Sequence, residues 1–414
     1  MTTLDNPDIS ESYKSTTRPL DGTLSHLTEA QQQALKDLWP IKVTRDQVKA
    51  THLSVAGIST SDAQAVDEWY AANKKIASDP KLQTVQDKMY LSGEREAVVP
   101  GKFKPLFSDD RGTRLFANTF WQACMLHESP DAYLLGFLRA SVWKVDQAFN
   151  RVVVSVGWRA AQAIDELMWE GELGMHDKLL NDGVLFRTGY DKLGYPINII
   201  RVKLNIPKER GDGVVERYAA FALEQTSIIA RDNGERATLV YDFDGFGLGN
   251  VDKGFIKTLL TFINDSYPQL FSATIQYVDS WLFSGLWKVI SGWLDPQIAK
   301  RTVISKNIDQ LENFIDRDQI ITRMGGSMDY TYKYVYPTKQ ENIKMFDTKS
   351  RLRAESVLKL AVDAILQTTK DWVAKPDVAG YIDQPRAQAT DAFRSATLAL
   401  DPYIRARFLT ERTA

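Results

Sequence analysis

The sequence predicts an α/β fold, a mostly parallel sheet preceded by an all-helical lobe, and three observations predict it. After Gly183, short β-branched runs alternate with segments of helical period, the pattern of βαβ units. Before Gly183, apolar residues recur at spacings of three and four. Between the third and fourth runs lies an unusually apolar stretch, 282–294, which falls short of the roughly 18 residues a spanning helix needs.

Residues 1–25 are rich in Thr, Ser, Asp and Pro and read as a disordered tail; with no apolar run after a basic start, they do not read as a secretory signal. A first helix follows, with Ser25 as its cap and Leu27, Ala30, Ala34, Leu35 and Leu38 at helical spacing. The stretch 40–125 is mixed, with a helix around Asp62 to Ala77 and a loop from Pro100 to Asp110. Ser129-Pro130-Asp131 supplies a cap, a first-turn proline and a first-turn acid, so 130–180 reads as two or three packed helices.

The strands are expected at Pro196–Val202, Ala237–Phe243, Ala273–Val278 and Thr302–Ser305, with helices at about 214–230 and 253–266 between them. The resulting division is a tail at 1–25, a helical lobe at 26–180, an α/β domain at 181–335 and a polar helical extension at 336–414.

Composition narrows the function. The net charge of −2 offers no field to recruit nucleic acid, and one cysteine, Cys124, excludes an internal disulfide framework and fits a reducing compartment. The four histidines, His26, His52, His127 and His176, are scattered, and none lies at metal-ligand spacing. Nucleophile-elbow and Walker motifs are missing, so the chain does not read as an enzyme, and no cofactor or metal is expected.

The run Asp242-Phe-Asp-Gly245-Phe-Gly247-Leu-Gly249-Asn250 departs from a dinucleotide fingerprint, because Asn250 stands at the third glycine position. It also departs from a calcium loop, because Lys253 stands where the twelfth-position glutamate belongs. It reads as a strand-to-helix turn.

Plotted as a helix, 282–294 carries Ser284, Lys288 and Ser291 on a thin polar stripe, while Leu282, Phe283, Leu286, Trp287, Val289, Ile290, Trp293 and Leu294 cover the rest. An arc this wide suits either a core helix or a gate that covers a lipid and meets a bilayer; Trp281, Trp287 and Trp293 favour the gate, since indoles suit the membrane interface. Period-two alternation places Ala237, Leu239 and Tyr241 on one sheet face, and Thr274, Gln276, Val278, Thr302 and Ile304 complete a candidate pocket floor.

A series of short strings then resembles a known family. Phe137-Leu-Arg-Ala140, Asp191-Lys-Leu-Gly-Tyr-Pro196, Tyr241-Asp-Phe-Asp-Gly245, Tyr267-Pro268, Trp293-Leu-Asp-Pro296 and Met324-Gly-Gly326 follow the order found in the CRAL-TRIO lipid-transfer family. The resemblance spans about 125–335, in a fungal branch with extended termini that is similar to phosphatidylinositol and phosphatidylcholine transfer proteins. It implies CRAL-TRIO N-terminal helices at about 126–180, a sheet flooring a lipid cavity, and a mobile gate helix.

Departures from the family pattern concern the lipid headgroup. Phosphatidylinositol-binding members carry Arg-Lys where Ser141-Val142 stand, glutamate at Gln269 and lysine at Arg301. Phosphatidylcholine-binding members carry hydroxyls where Ala237 and Leu239 stand.

Loss of several such contacts implies a cargo more apolar than a phospholipid, of squalene-like isoprenoid or sterol-precursor type. The expected partners are a single lipid molecule and, transiently, the surface of intracellular membranes (endoplasmic reticulum, endosomes or lipid droplets), reached from the cytoplasm. A phospholipid cargo, or a lipid sensor acting through a protein partner, are the alternatives.

Overall fold

The computed structural model describes residues 12–14, 24–40, 84–92, 96–101, 103, 106, 116–210, 213–278, 281–375 and 384–412. They form two compact units: 12–14 with Met175–Val335, and the remainder, including Tyr336–Ala414 as far as it is described. The helix expected at Asp62 to Ala77 lies outside the described residues.

The helical unit opens with α1, Glu29–Leu38. Its cap is Thr28 rather than Ser25: the Gln31 amide donates to Thr28 Oγ1 at 3.3 Å and the Thr28 amide to Gln31 Oε1 at 2.9 Å. Thr28-x-x-Gln31 satisfies two orphan amides reciprocally, which Ser25, with Thr28 three residues on, cannot do. Helices α2 (Pro130–Ala140, capped by Ser129) and α3 (Val145–Ala161) follow, then Ile164–Glu170.

In the other unit, a five-stranded sheet runs in the order β1-β2-β3-β4-β5. Its strands are β1 (Leu185–Tyr190), β2 (Pro196–Arg201), β3 (Ala237–Asp242), β4 (Phe271–Tyr277) and β5 (Thr302–Ser305). β1 pairs antiparallel with β2; the other pairs are parallel. The connections hold α4 (Val214–Arg231), α5 (Lys253–Ser266) and α6 (Trp281–Ile290, continued by a 3-10 turn through Trp293). Strands added in sequence order through right-handed crossovers place successive connections on one face. This topology therefore puts α4, α5 and α6 over one side of the sheet.

The opposite side is a packed core. Phe186, Ile197, Ile199, Val240, Ala273 and Ile275 meet Leu311, Phe314, Ile315, Ile320, Ile321 and Met324. Tyr13 joins this core from the stretch expected to be a disordered tail. It is 3% exposed, and its hydroxyl donates to Asp191 Oδ2 at 2.6 Å. Asp191 Oδ2 also accepts from Thr238 Oγ1 at 2.6 Å, and its Oδ1 accepts the Leu193 and Tyr195 amides. Burial raises the Asp191 pKa despite these hydrogen bonds. One tyrosine between Ser12 and Lys14 in a polar stretch carries no periodic signal, which is why this docking was not legible.

Beyond the sheet come α7 (Thr348–Ala374) and α8 (Gln384–Leu400), which belong to the helical unit. Leu358, Ile365, Trp372, Phe393 and Leu400 share one core with Leu35, Leu38, Phe137, Leu138 and Val156. The segments read separately as an N-terminal lobe and a C-terminal extension thus build a single body.

Candidate functional site

Parallel register aligns side chains row by row. Leu239 pairs with Thr274 and Thr274 with Thr302; Tyr241 pairs with Gln276 and Gln276 with Ile304. The structure thus brings Leu239, Tyr241, Thr274, Gln276, Thr302 and Ile304 onto one face, with Ala237 at the strand entry, where the register slips. Val278 follows β4 in phase and is buried with Phe243, Phe246, Phe283 and Leu286; Tyr241, Ile304, Trp287 and Ile290 pack against that cluster. This face and α6 are therefore in contact. Phe283 is central to it, with its ring centroid 4.8 Å from Phe243 and 5.7 Å from Trp287.

The covering helices remain incompletely covered themselves. In α5, Phe255, Ile256, Leu259, Leu260, Phe262 and Ile263 are all half-buried, and of the whole helix only Ser266 is buried. Trp287, Ile290, Trp293 and Leu294 are half-buried too, as are Tyr241, Thr274 and Ile304 on the sheet. Lys257 of α5 sits 4.8 Å from the Trp293 ring, a cation–π contact joining the two helices. The side chains of Trp281 and Leu282 lie outside the described residues.

Farther across the same face the chemistry turns polar. Arg187 donates to Gln225 Oε1 (3.0 Å), the Ala222 carbonyl (3.2 Å) and Thr226 Oγ1 (3.1 Å) of α4. Tyr267 donates to the buried Glu224 at 2.6 Å. The sequence reading missed this cluster. Arg187 and Glu224 sit within runs too short or too mixed to announce buried ion chemistry, although a charged residue in phase with inward positions was the available signal.

The four headgroup positions divide. Gln269 and Arg301 come together, with Arg301 Nη2 donating to Gln269 Oε1 at 2.5 Å and Nη1 to the Phe271 carbonyl at 3.5 Å. Gln269 takes a φ of +71°, in the left-handed region. Ser141 and Val142 belong to the helical unit, Ser141 buried and Val142 62% exposed. In the turn after β3, Asp242 pairs with Arg323, and Asp244 with Arg323 (3.3 Å) and Lys203 (3.6 Å), so cations of the chain itself neutralise both carboxylates. Asn250, which breaks the glycine fingerprint, pins the turn by donating to the Lys203 and Asn205 carbonyls at 2.9 Å. Among the described residues no cluster of metal-binding side chains is present, and no helix is long and apolar enough to cross a membrane.

Comparison with known proteins places this geometry. The family model described as CRAL/TRIO domain matches residues 180–326. A CRAL-TRIO domain-containing protein of Schizosaccharomyces pombe is 27% identical over 411 residues, spanning 94% of this chain and 90% of the relative. The phosphatidylinositol transfer protein CSR1 of Eremothecium gossypii is 27% identical over 304 residues, spanning 70% of this chain and 68% of the relative. A crystal structure of Sfh5, 16% identical, covers 50% of this chain and 81% of its own with a TM-score of 0.41. The family match falls on the five strands and the helices over them, so residues 180–326 are similar to the CRAL/TRIO domain along the whole sheet.

Proposed function

We propose that this chain encloses one lipid molecule between the sheet face and helices α5 and α6, and exchanges it at membranes with α6 as the gate. One observation carries the reading: α5 buries none of its large apolar side chains, and α6 buries Phe283 and Leu286 but leaves Trp287 and Ile290, with Trp293 beyond it, half-covered. Apolar surface of this extent is unfavourable in water unless an apolar partner covers it. A C₃₀ chain gains on the order of 20 kcal/mol over water there, at about 0.8 kcal/mol per CH₂. The same chain is already dry in a bilayer, so exchange is nearly balanced and needs no chemical energy. Lys288, exposed on α6, suits weak docking to phosphates on intracellular membranes from the cytoplasm.

The cargo in this reading is more apolar than a phospholipid, a squalene-like isoprenoid or sterol precursor. Ala237 and Leu239 put no hydroxyl on the floor, and Arg301 spends donors on Gln269 and Phe271. One observation favours a phospholipid instead: Gln269 and Arg301 do converge, and the CSR1 relative is named for phosphatidylinositol. Direct binding of labelled squalene and labelled phosphatidylinositol separates the two. The expected result is saturable binding of squalene with phosphatidylinositol at least about tenfold weaker, a gap of about 1.4 kcal/mol. The reverse order would replace the apolar cargo with the phospholipid.

A further inference from the structure

Two side chains on the sheet floor make no hydrogen bond that the fold needs. Tyr241 and Gln276 are register partners on β3 and β4, aimed at the face that also carries Leu239 and Ile304. Gln276 is 6% exposed. Among the described residues neither side chain takes part in a hydrogen bond. Burial alone drives the Tyr241 phenol well above its ordinary range, with no neighbouring charge or hydrogen bond contributing. Tyr241 and Ile304 pack against Phe243, Phe283 and Leu286, and Gln276 lies between those two in the register, so the setting is aromatic and aliphatic.

Neither polar group is sealed from solvent, so a lipid covering this face strips their water, and a phenol and an amide left dry and unpaired are costly. Each of the two groups both donates and accepts, and neither carries charge. A phosphate brought here would lack a counter-ion, since Arg187 is engaged by α4 and Arg301 by Gln269. A pure hydrocarbon would leave both groups dry and unpaired.

We infer that Tyr241 and Gln276 form a neutral hydrogen-bonding station that selects, among apolar lipids, one bearing a single hydroxyl, epoxide or carbonyl oxygen. The inference rests on the lipid-binding reading above and narrows its cargo. A site built to hydrogen-bond one oxygen rejects the analogue without it, because the protein's own groups are then left unmet.

The test uses the full chain and pairs of ligands that differ by one oxygen: cholestanol against cholestane, and squalene epoxide against squalene. The wild-type protein is expected to prefer the oxygenated member by at least about tenfold. Tyr241→Phe with Gln276→Leu removes that preference while hydrocarbon binding holds or tightens, and Tyr241→Phe alone, which deletes only the hydroxyl, removes part of it. Equal affinities within each pair in the wild type, or a preference that survives in the double variant, overturns the station and leaves the lipid reading standing. Binding of neither pair, with phosphatidylinositol bound, overturns the apolar cargo and the station together.

Discussion

Replacing Trp287 and Trp293 with serine is expected to slow lipid transfer between vesicles at least about tenfold while the chain keeps its fold. Both indoles are half-buried at the outer part of α6 and the turn that continues it. Trp287 stacks on Phe283, and Trp293 lies beneath Lys257. An indole presents 150–250 Å² of contact, so two of them supply several kcal/mol at a membrane interface at about 25 cal/mol per Å². Only about 1.4 kcal/mol of that need be made in the rate-limiting encounter for a tenfold effect. The fold is spared because Phe283 and Leu286, which face Phe243 and Val278, remain in place. Stopped-flow transfer of a fluorescent neutral lipid measures the rate, and circular dichroism checks the fold. A rate equal to that of the wild type would make α6 an ordinary core helix.

Arg386→Ala is expected to lower the stability of the helical unit by about 3–5 kcal/mol, the largest single-site effect on folding. Arg386 Nη2 donates to both oxygens of Asp131, at 2.7 and 2.8 Å, with the side chains 3% and 6% exposed. Trp39 Nε1 donates to the same carboxylate at 2.6 Å, and Arg386 lies 4.7 Å from the Trp372 ring. Thr369 accepts from the guanidinium as well. Alanine leaves the Asp131 charge buried without its guanidinium partner, which explains the magnitude. Asp131→Leu combined with Arg386→Met restores part of the loss but not all, since Trp39 then lacks its acceptor. Urea unfolding measures both variants. A loss below about 1 kcal/mol for Arg386→Ala would put the pair with exposed ion pairs, contrary to its burial.

What the sequence made legible, and what it hid, follows from the reach of local pattern. Alternation fixed the phase of Leu239 and Tyr241, of Thr274 and Gln276, and of Thr302 and Ile304, since a strand's period leaves two faces to choose from. Helix α5 was legible to the residue because Asp252 caps it and Pro268 closes the segment. Strand β1 was not: Leu-Phe-Arg-Thr-Gly-Tyr is short, and its Gly189, at φ +52°, interrupts the register with β2. The expected strand signal at Pro196 came from its neighbour alone.

Contacts between residues far apart in sequence were hidden altogether. Tyr13 reaches Asp191, and Asp131 reaches Arg386, through a fold that no window of fifteen residues describes. The station of Tyr241 and Gln276 lies between these cases. Its two residues were visible as inward positions, but their want of hydrogen bonds emerged only with the neighbours in place.

A whole lipid held against this sheet face stays with the chain through purification. Mass spectrometry of lipid extracted from the purified full chain tests it most directly. One neutral, oxygen-poor isoprenoid or sterol precursor per chain is expected, lost when Phe283 and Leu286 are replaced by charged residues. Protein that is free of lipid and takes up none from neutral-lipid vesicles, or that carries phosphatidylinositol one to one, would contradict it.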